Sequence, residues 1–190
     1  MDNDMQRDMR LAQRYAEQAA ALLDPIRFGH GDEALPESAV YNALVVPCNP
    51  RYIPLSEESV RKARLVGDAW RFGARAGSYS RDVERFYQTV AFDYRSLHGD
   101  PMIVSCLQPD SLAAQMSFMA YLHQGIASRE RNEHLRGLAR TFLERHLAKW
   151  CGKASEVCQK QSYAWLAKIV SECNELVRDD LDLELGQQHW

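Results

Sequence analysis

The cysteines of this sequence are few and do not form a recognisable pair. Among 190 residues there are five, with no C-x-x-C spacing: Cys48, Cys106, Cys151, Cys158 and Cys173. An odd, scattered set is typical of reduced thiols in a cytoplasmic protein, where they serve as small core residues. We therefore expect free thiols, since the spacing gives no support to a disulfide.

Motifs of the common enzyme classes are also absent. The sequence contains no Gly-rich phosphate loop, no G-x-S-x-G, no H-E-x-x-H and no Walker lysine. His134 and His146 lie about three helical turns apart, and Cys151 and Cys158 about two turns apart, which is too far for either pair to share a metal. The sequence predicts no catalytic residue, no metal and no cofactor.

Charge is nearly balanced and no long basic run occurs. The formal net charge is -3, which argues against general nucleic-acid binding. Residues 1–8 are polar and acidic, unlike a secretory signal. A hydrophobic fraction of 46% and a charged fraction of 26% are those of a folded soluble protein. We expect a cytoplasmic protein with one domain over 1–190, comprising an N-terminal helix and loop over 1–40 and an acidic tail over 179–190.

The longest stretch without charge runs from Ser111 to Ser128 and contains no Asp, Glu, Lys or Arg. A membrane span needs roughly 20 predominantly apolar residues. The stretch contains Gln115, His123 and Gln124, whose polar groups would be costly in hydrocarbon. It is apolar around most of its circumference, which favours a buried helix in the middle of a bundle, without stable membrane insertion.

Helical periodicity continues through most of the chain. Besides the uncharged helix, it predicts helices over 5–23, 38–46, 56–77, 80–97 and 131–149, an interruption at Gly152, and a last helix that includes 158–176. Residues 180–185 alternate with a period of two, which fits a short strand, a frayed end or a strand-adding peptide. The predicted fold class is all-α, a single-domain bundle of about six to eight helices.

Three segments resemble the TorD/DmsD/NarJ family, whose members are cytoplasmic chaperones for molybdenum-containing redox enzymes. Residues 109–112, Pro-Asp-Ser-Leu, with Phe118-Met119 resemble its P-D-H-L…F-M segment. Residues 142–150 match its F-L-x-x-H-L-x-x-W in every specified position. Tyr41-x-x-Leu44-Val45, followed by Pro54 and Glu58-Ser59-Val60, resembles its Y-x-x-L-F…P-P-Y-E-S-V segment. The resemblance implies a TorD/NarJ-like fold.

The resemblance is incomplete near the start of the uncharged helix. Ser111 stands where the family has histidine, and Gln115 where it has glutamate. Leu55-Ser56-Glu57 replaces the segment that carries an aromatic residue. The fold expectation rests on the apolar positions, which match.

By resemblance, this chain is a non-enzymatic chaperone that binds the N-terminal twin-arginine signal of a partner, or a remnant of it. The partner is the catalytic subunit of a molybdenum redox enzyme, held in the cytoplasm until its cofactor is inserted. Such a signal calls for carboxylates beside an apolar groove. The candidate signal-peptide-binding residues are Glu57, Glu58, Trp70, Tyr87, Pro109, Asp110, Ser111 and Trp150.

Each candidate also has a structural interpretation. Glu57 and Glu58 complement a helix dipole, Asp110 is a candidate N-cap, and the aromatic residues suit a core. Two other functions stay open: a nucleotide-binding or hydrolysing helical protein, and the ligand-binding domain of a regulator. The chain is expected as a monomer or dimer.

Overall fold

A computed structural model describes residues 3–24, 56–57, 64–66, 69–71, 78–105, 107–128, 133–161 and 164–186. Within these ranges the helices are α1 (Asn3–Leu23), α2 (Ser78–Thr89), α3 (Pro101–Ser105), α4 (Leu112–Ser128), α5 (Glu133–Phe142), α6 (Ala148–Gln161) and α7 (Ala164–Gly186). A 3₁₀ turn spans Tyr94–Ser96 and a π-helical turn spans Leu143–Leu147. Strands β1 (Arg64–Val66) and β2 (Ala69–Arg71) are three residues each. The predicted all-α class is confirmed.

Helix α4 is the centre of the bundle, as its lack of charge predicts. Twelve of its residues are buried, and they include positions on every side of the helix. It packs along α1 and also contacts α5, while α6 packs against α7. A helix surrounded in this way needs apolar side chains all round. Among the described residues, no helix is long and apolar enough to cross a membrane.

Helix α2 ends earlier than its apolar stripe predicts. The stripe continues to Leu97, but the helix stops at Thr89 and Ala91 adopts a left-handed conformation with φ 55°. Phe92 N donates to Tyr87 O at 3.0 Å and Ala91 N to Gln88 O at 3.4 Å, the two bonds of a Schellman cap. The Phe92 and Tyr87 rings then meet at 4.9 Å between centroids, the apolar contact that accompanies this cap.

The connection after the 3₁₀ turn passes close to the end of α1. Asp100 N donates to Leu23 O at 2.8 Å. A Cβ added at Gly99 would lie 2.5 Å from that same Leu23 oxygen, so this approach requires glycine. The close approach fixes the start of α3 beside the end of α1.

The predicted interruption at Gly152 is wrong, and the helix is instead irregular at the π-helical turn Leu143–Leu147. Ala148 N donates to Leu143 O, which is the five-residue bond of a π-helix. This turn lies inside the F-L-x-x-H-L-x-x-W segment, and the chain then continues helically through Gly152 to Gln161. A glycine inside a helix costs only about 1 kcal/mol, less than the tertiary packing of α6 on α7 provides.

The helix predicted over 56–77 is wrong at its centre. Arg64–Val66 and Ala69–Arg71 are antiparallel strands, with Leu65 paired to Trp70. The intervening sequence, Gly67-Asp68, begins with glycine, which favours tight connections between antiparallel strands. The helix predicted over 38–46 lies outside the described residues.

The alternating segment at the end of the chain is helical rather than extended. Helix α7 runs to Gly186 and contains residues 179–186 of the predicted acidic tail. Asp180 is buried, because it faces α1 and α4 and has partners there. Alternation in sequence therefore does not correspond to a strand here.

Candidate functional site

A short backbone contact joins two segments that are distant in sequence. Glu57 N donates to Asp110 O at 2.9 Å, and Ser56 and Ser111 form an isolated antiparallel bridge. The contact places residues 56–57 against the start of α4. Glu57 and Asp110 are 0% and 2% exposed.

The Glu57 carboxylate lies at the centre of a buried polar cluster. Its Oε2 accepts from Gln115 Nε2 at 2.9 Å and lies 2.8 Å from His146 Nδ1. Where the carboxylate is ionised, Nδ1 is the donor of that bond. Gln115 Oε1 accepts from Trp150 Nε1 at 3.2 Å, so residues from α4, the π-helical turn and α6 share one network.

Glutamine suits position 115 because the site needs both a donor and an acceptor there. Its Nε2 donates to Glu57 and approaches Asp110 O at 3.3 Å, while its Oε1 accepts from Trp150. A glutamate would place a second buried carboxylate beside Glu57, which is costly. The departure from the family pattern at this position is thus consistent with the cluster.

Tyr87 holds the segment that precedes α4. Its hydroxyl donates to Pro109 O at 2.7 Å. Burial raises the pKa of Tyr87 well above 10, and the nearby carboxylates Asp110 and Glu57 raise it further. The phenol therefore stays protonated and remains a hydrogen-bond donor to the segment that precedes α4.

The cluster reaches solvent at an edge formed by Asp82. Its Oδ2 accepts from Arg145 Nη2 at 2.9 Å and lies 3.4 Å from His146 Nε2. The Arg145 guanidinium also lies 5.5 Å from the centroid of the Phe86 ring. The side chains of Asp82 and Arg145 are 30% and 56% exposed. The edge thus presents a carboxylate and an aromatic ring, both occupied by an arginine of the chain itself.

The structure brings six predicted site residues into this region: Glu57, Tyr87, Pro109, Asp110, Ser111 and Trp150. All are buried, so Tyr87 and Trp150 belong to the core in this conformation. Glu58 lies outside the described residues, as does the Trp70 side chain, whose backbone is in β2. The role of all eight in signal-peptide binding stays a prediction.

The predicted N-cap at Asp110 is wrong by one residue. Helix α4 begins at Leu112, Gln115 N donates to Ser111 O, and Ser111 Oγ accepts from Ala114 N at 3.4 Å. Serine is among the preferred N-caps. The cap therefore does not depend on the Asp110 side chain.

Sequence reasoning missed three members of the site. From the sequence, His146 is interpreted as a core histidine and Gln115 as a departure from the family pattern. No sequence pattern indicates a role for Asp82. The match at 142–150 marks His146, but its carboxylate partners lie far away in sequence. Only the packing of α2 and α4 against the π-helical turn brings them together.

A second buried polar cluster lies where α1, α4 and α7 meet. His123 Nδ1 lies 3.1 Å from Asp8 Oδ1, and its Nε2 lies 3.1 Å from Asp180 Oδ2. Tyr15 OH donates to Asp180 at 2.8 Å and Arg136 to Asp8 at 2.7 Å. This ionic cluster, defined by Asp8, His123 and Asp180, joins helices from both ends of the chain.

The ionic cluster keeps its histidine charged at neutral pH. Burial alone would lower the pKa of His123, but the hydrogen bonds to Asp180 and Asp8 outweigh it and raise that pKa to about 9. Burial would raise the pKa of Asp8, and the bond to His123 and the charge of Arg136 instead lower it. Across the described ranges no group of three or more His, Cys, Asp or Glu is placed to hold a metal.

Comparison with known protein families identifies a match over most of the chain. The sequence model of the family described as nitrate reductase delta subunit matches residues 9–156, from α1 into α6. No curated protein and no solved structure matches the chain. The matched region contains the contact between Glu57 and Asp110, the uncharged helix and the 142–150 segment.

Proposed function

Because the chain belongs to the nitrate reductase delta subunit family, the TorD/NarJ family of molybdoenzyme maturation chaperones, we propose that it binds the N-terminal twin-arginine or remnant leader of its partner. The partner is the catalytic subunit of a molybdenum redox enzyme. The chaperone holds it in the cytoplasm until cofactor insertion and assembly are complete. The observation that carries the proposal is the buried acidic cluster with an accessible edge at Asp82.

The edge has the chemistry that a leader requires. A twin-arginine leader has a basic end and an apolar segment, read by a receptor. An incoming arginine would take the place of Arg145 on Asp82 and on the Phe86 ring, exchanging one guanidinium for another. Such an exchange costs little desolvation, because Asp82 is already paired. Arg145 then turns into solvent, where more than half of its side chain already lies.

The buried carboxylates of the cluster, Asp110 and Glu57, would bind the second arginine of the leader. Asp110 and Glu57 are covered by the contact between residues 56–57 and 109–111. Opening this contact, which includes the backbone hydrogen bond from Glu57 N to Asp110 O, would expose both carboxylates. The apolar part of the leader would then bury against the aromatic side chains behind them.

Asp110→Asn should weaken binding of a twin-arginine leader peptide. Charge-assisted hydrogen bonds contribute roughly 1.5–3 kcal/mol each, and asparagine keeps the size of the side chain while removing its charge. Helix α4 stays capped because Ser111 provides the cap. The measurement is calorimetry of wild type and variant with the leader peptide and with a version whose two arginines are glutamines.

A double-mutant cycle separates pairing from fold damage. Replacing the two arginines of the peptide by glutamine should weaken its binding to Asp110→Asn less than it weakens binding to the wild type. If the two changes have additive effects on the binding free energy, Asp110 does not contact the arginines. If the wild type does not bind the leader of any molybdenum redox subunit encoded beside this chain, the proposed function is wrong.

Two variants at the edge should have opposite effects on the same binding. Asp82→Asn removes the accessible carboxylate and should weaken the peptide about threefold to tenfold, whereas Arg145→Gln removes the internal competitor and should strengthen it by a similar factor. Arg140, whose Nε pairs with Glu144 at 2.9 Å, provides a matched control. Arg140→Gln should leave affinity unchanged. Weaker binding in Arg145→Gln would contradict the exchange.

A further inference from the structure

A groove of about 410 Å³ lies between α1 and the end of α7, away from the Glu57 cluster. Its wall on α1 carries Arg7, Arg10 and Arg14, spaced by three and four residues and therefore on one face of the helix. Among the described residues that line it, Asp4 is the one carboxylate. The groove therefore has a positive lining, opposite in sign to the Glu57 cluster.

The positive charge of this groove is only partly neutralised from within. Arg14 pairs with Asp179 at 3.1 Å, in an exposed contact that contributes little. Arg7 approaches Asp4 at 3.7 Å, beyond hydrogen-bonding distance. Arg10 is exposed and has no ion pair among the described residues.

Arg7 is also incompletely paired, because two of its buried nitrogen atoms lack a hydrogen-bond acceptor among the described residues. Its Nε and Nη2 have no hydrogen-bond acceptor among the residues that the structure describes. Asp8 Oδ2 lies 3.8 Å from Nη2, and Arg136 already donates to that oxygen at 2.7 Å. A guanidinium held in this way gains from a negative charge placed in the groove.

The remaining lining is apolar. Leu183 on α7 is 45% exposed, and Leu11 on α1 forms part of the floor. An exposed leucine beside three arginines suits an occupant that has both carboxylates and an apolar side chain.

We propose that this groove binds an acidic segment of a partner polypeptide, with carboxylates spread along α1 and an apolar side chain against Leu183. Arg7 and Arg14 are seven residues apart, which is roughly 10 Å along a helix. Guanidiniums spread over that distance do not converge on a single phosphate, but they match acidic residues distributed along a peptide. A basic leader would be repelled here, so the groove is a second site, independent of the leader site.

The test uses a fluorescein-labelled peptide of about fifteen residues, with glutamates at positions i, i+3 and i+7 and one leucine between them. Anisotropy with the full-length chain should show saturable binding that weakens as salt rises from about 50 to about 200 mM. Arg10→Glu should weaken it about tenfold, because an attraction becomes a repulsion. Arg10 is exposed, and circular dichroism confirms that the variant folds.

Arg85→Glu is the matched control, an exposed arginine on α2 with no ion pair among the described residues. It should change the affinity by less than about twofold. A lysine-for-glutamate version of the peptide should not bind. Equal losses in Arg10→Glu and Arg85→Glu would show a nonspecific charge effect and overturn the proposal.

Two further outcomes would also overturn it. One is Arg10-dependent binding of pyrophosphate that displaces the peptide, which would make the groove a small-anion site. The other is Arg10-dependent binding of vesicles containing anionic lipid with no binding of the peptide. Asp82→Asn and Asp110→Asn should leave the acidic peptide's affinity unchanged, so failure of this proposal is distinguishable from failure of the leader proposal.

Discussion

His123→Gln is expected to lower the free energy of unfolding by about 3–5 kcal/mol at neutral pH, because it leaves Asp8 and Asp180 buried without the charge between them. Glutamine can donate a hydrogen bond but carries no charge. Urea denaturation with a two-state fit provides the measurement. His134→Gln is the control, since His134 is exposed, and it should change stability by less than about 0.5 kcal/mol. Equal stabilities for wild type and His123→Gln would show that the ionic cluster is not structural.

The same variant should reveal a dependence on pH. The folded-state pKa of His123 is raised from 6.5 to about 9. A raised pKa contributes stability that is full below 6.5 and is lost as pH rises through about 9, amounting to about 3 kcal/mol. The stability gap between wild type and His123→Gln should therefore narrow between pH 7 and about 10. A gap that is constant over this range would contradict a charged His123.

The contribution of Asp8 to stability depends on pH in the opposite direction to that of His123. The pKa of Asp8 is lowered below 3.8, so its contribution is present above that value and is lost as pH falls through the lower, folded-state pKa. The ionic cluster therefore stabilises the fold most between about pH 3.8 and about pH 6.5, where Asp8 is ionised and the contribution of His123 is not yet reduced.

Phe142→Ala should destabilise the protein by about 3–5 kcal/mol. Phe142 is 0% exposed, and its ring centroid lies 4.8 Å from that of Phe118 and 5.3 Å from that of Phe86. Removing the ring leaves a cavity bordered by α2 and α4, which cannot close without moving the helices. Denaturant unfolding measures the loss.

Two control variants distinguish a packing role of Phe142 from a role in leader binding. Phe142→Leu keeps most of the volume and should cost less than about 1.5 kcal/mol. Tyr121→Ala removes an exposed ring and should cost far less than Phe142→Ala. If Phe142→Ala kept the stability of the wild type and lost only leader binding, our assignment of Phe142 to the core would be wrong.

Local periodicity was enough to predict α1 and α4 nearly to the residue. Helix geometry fixes which positions share a face, so an uncharged run such as 111–128 already identifies a helix that is buried on most sides. The apolar stripe of α2 shows that periodicity predicts which residues are buried but not where the helix ends. Tyr94 is buried as the stripe predicts, yet it lies in a 3₁₀ turn, because Ala91 ends the helix with a left-handed residue.

The sequence by itself determined the fold class, the central helix and, through the 109–119 and 142–150 segments, the family. Only the tertiary structure decided which polar residues meet. Glu57, Gln115 and His146 are far apart in sequence, as are Asp8, His123 and Asp180. Burying any one of these groups alone would be unfavourable, and only the packing of the helices supplies the partner that makes it stable.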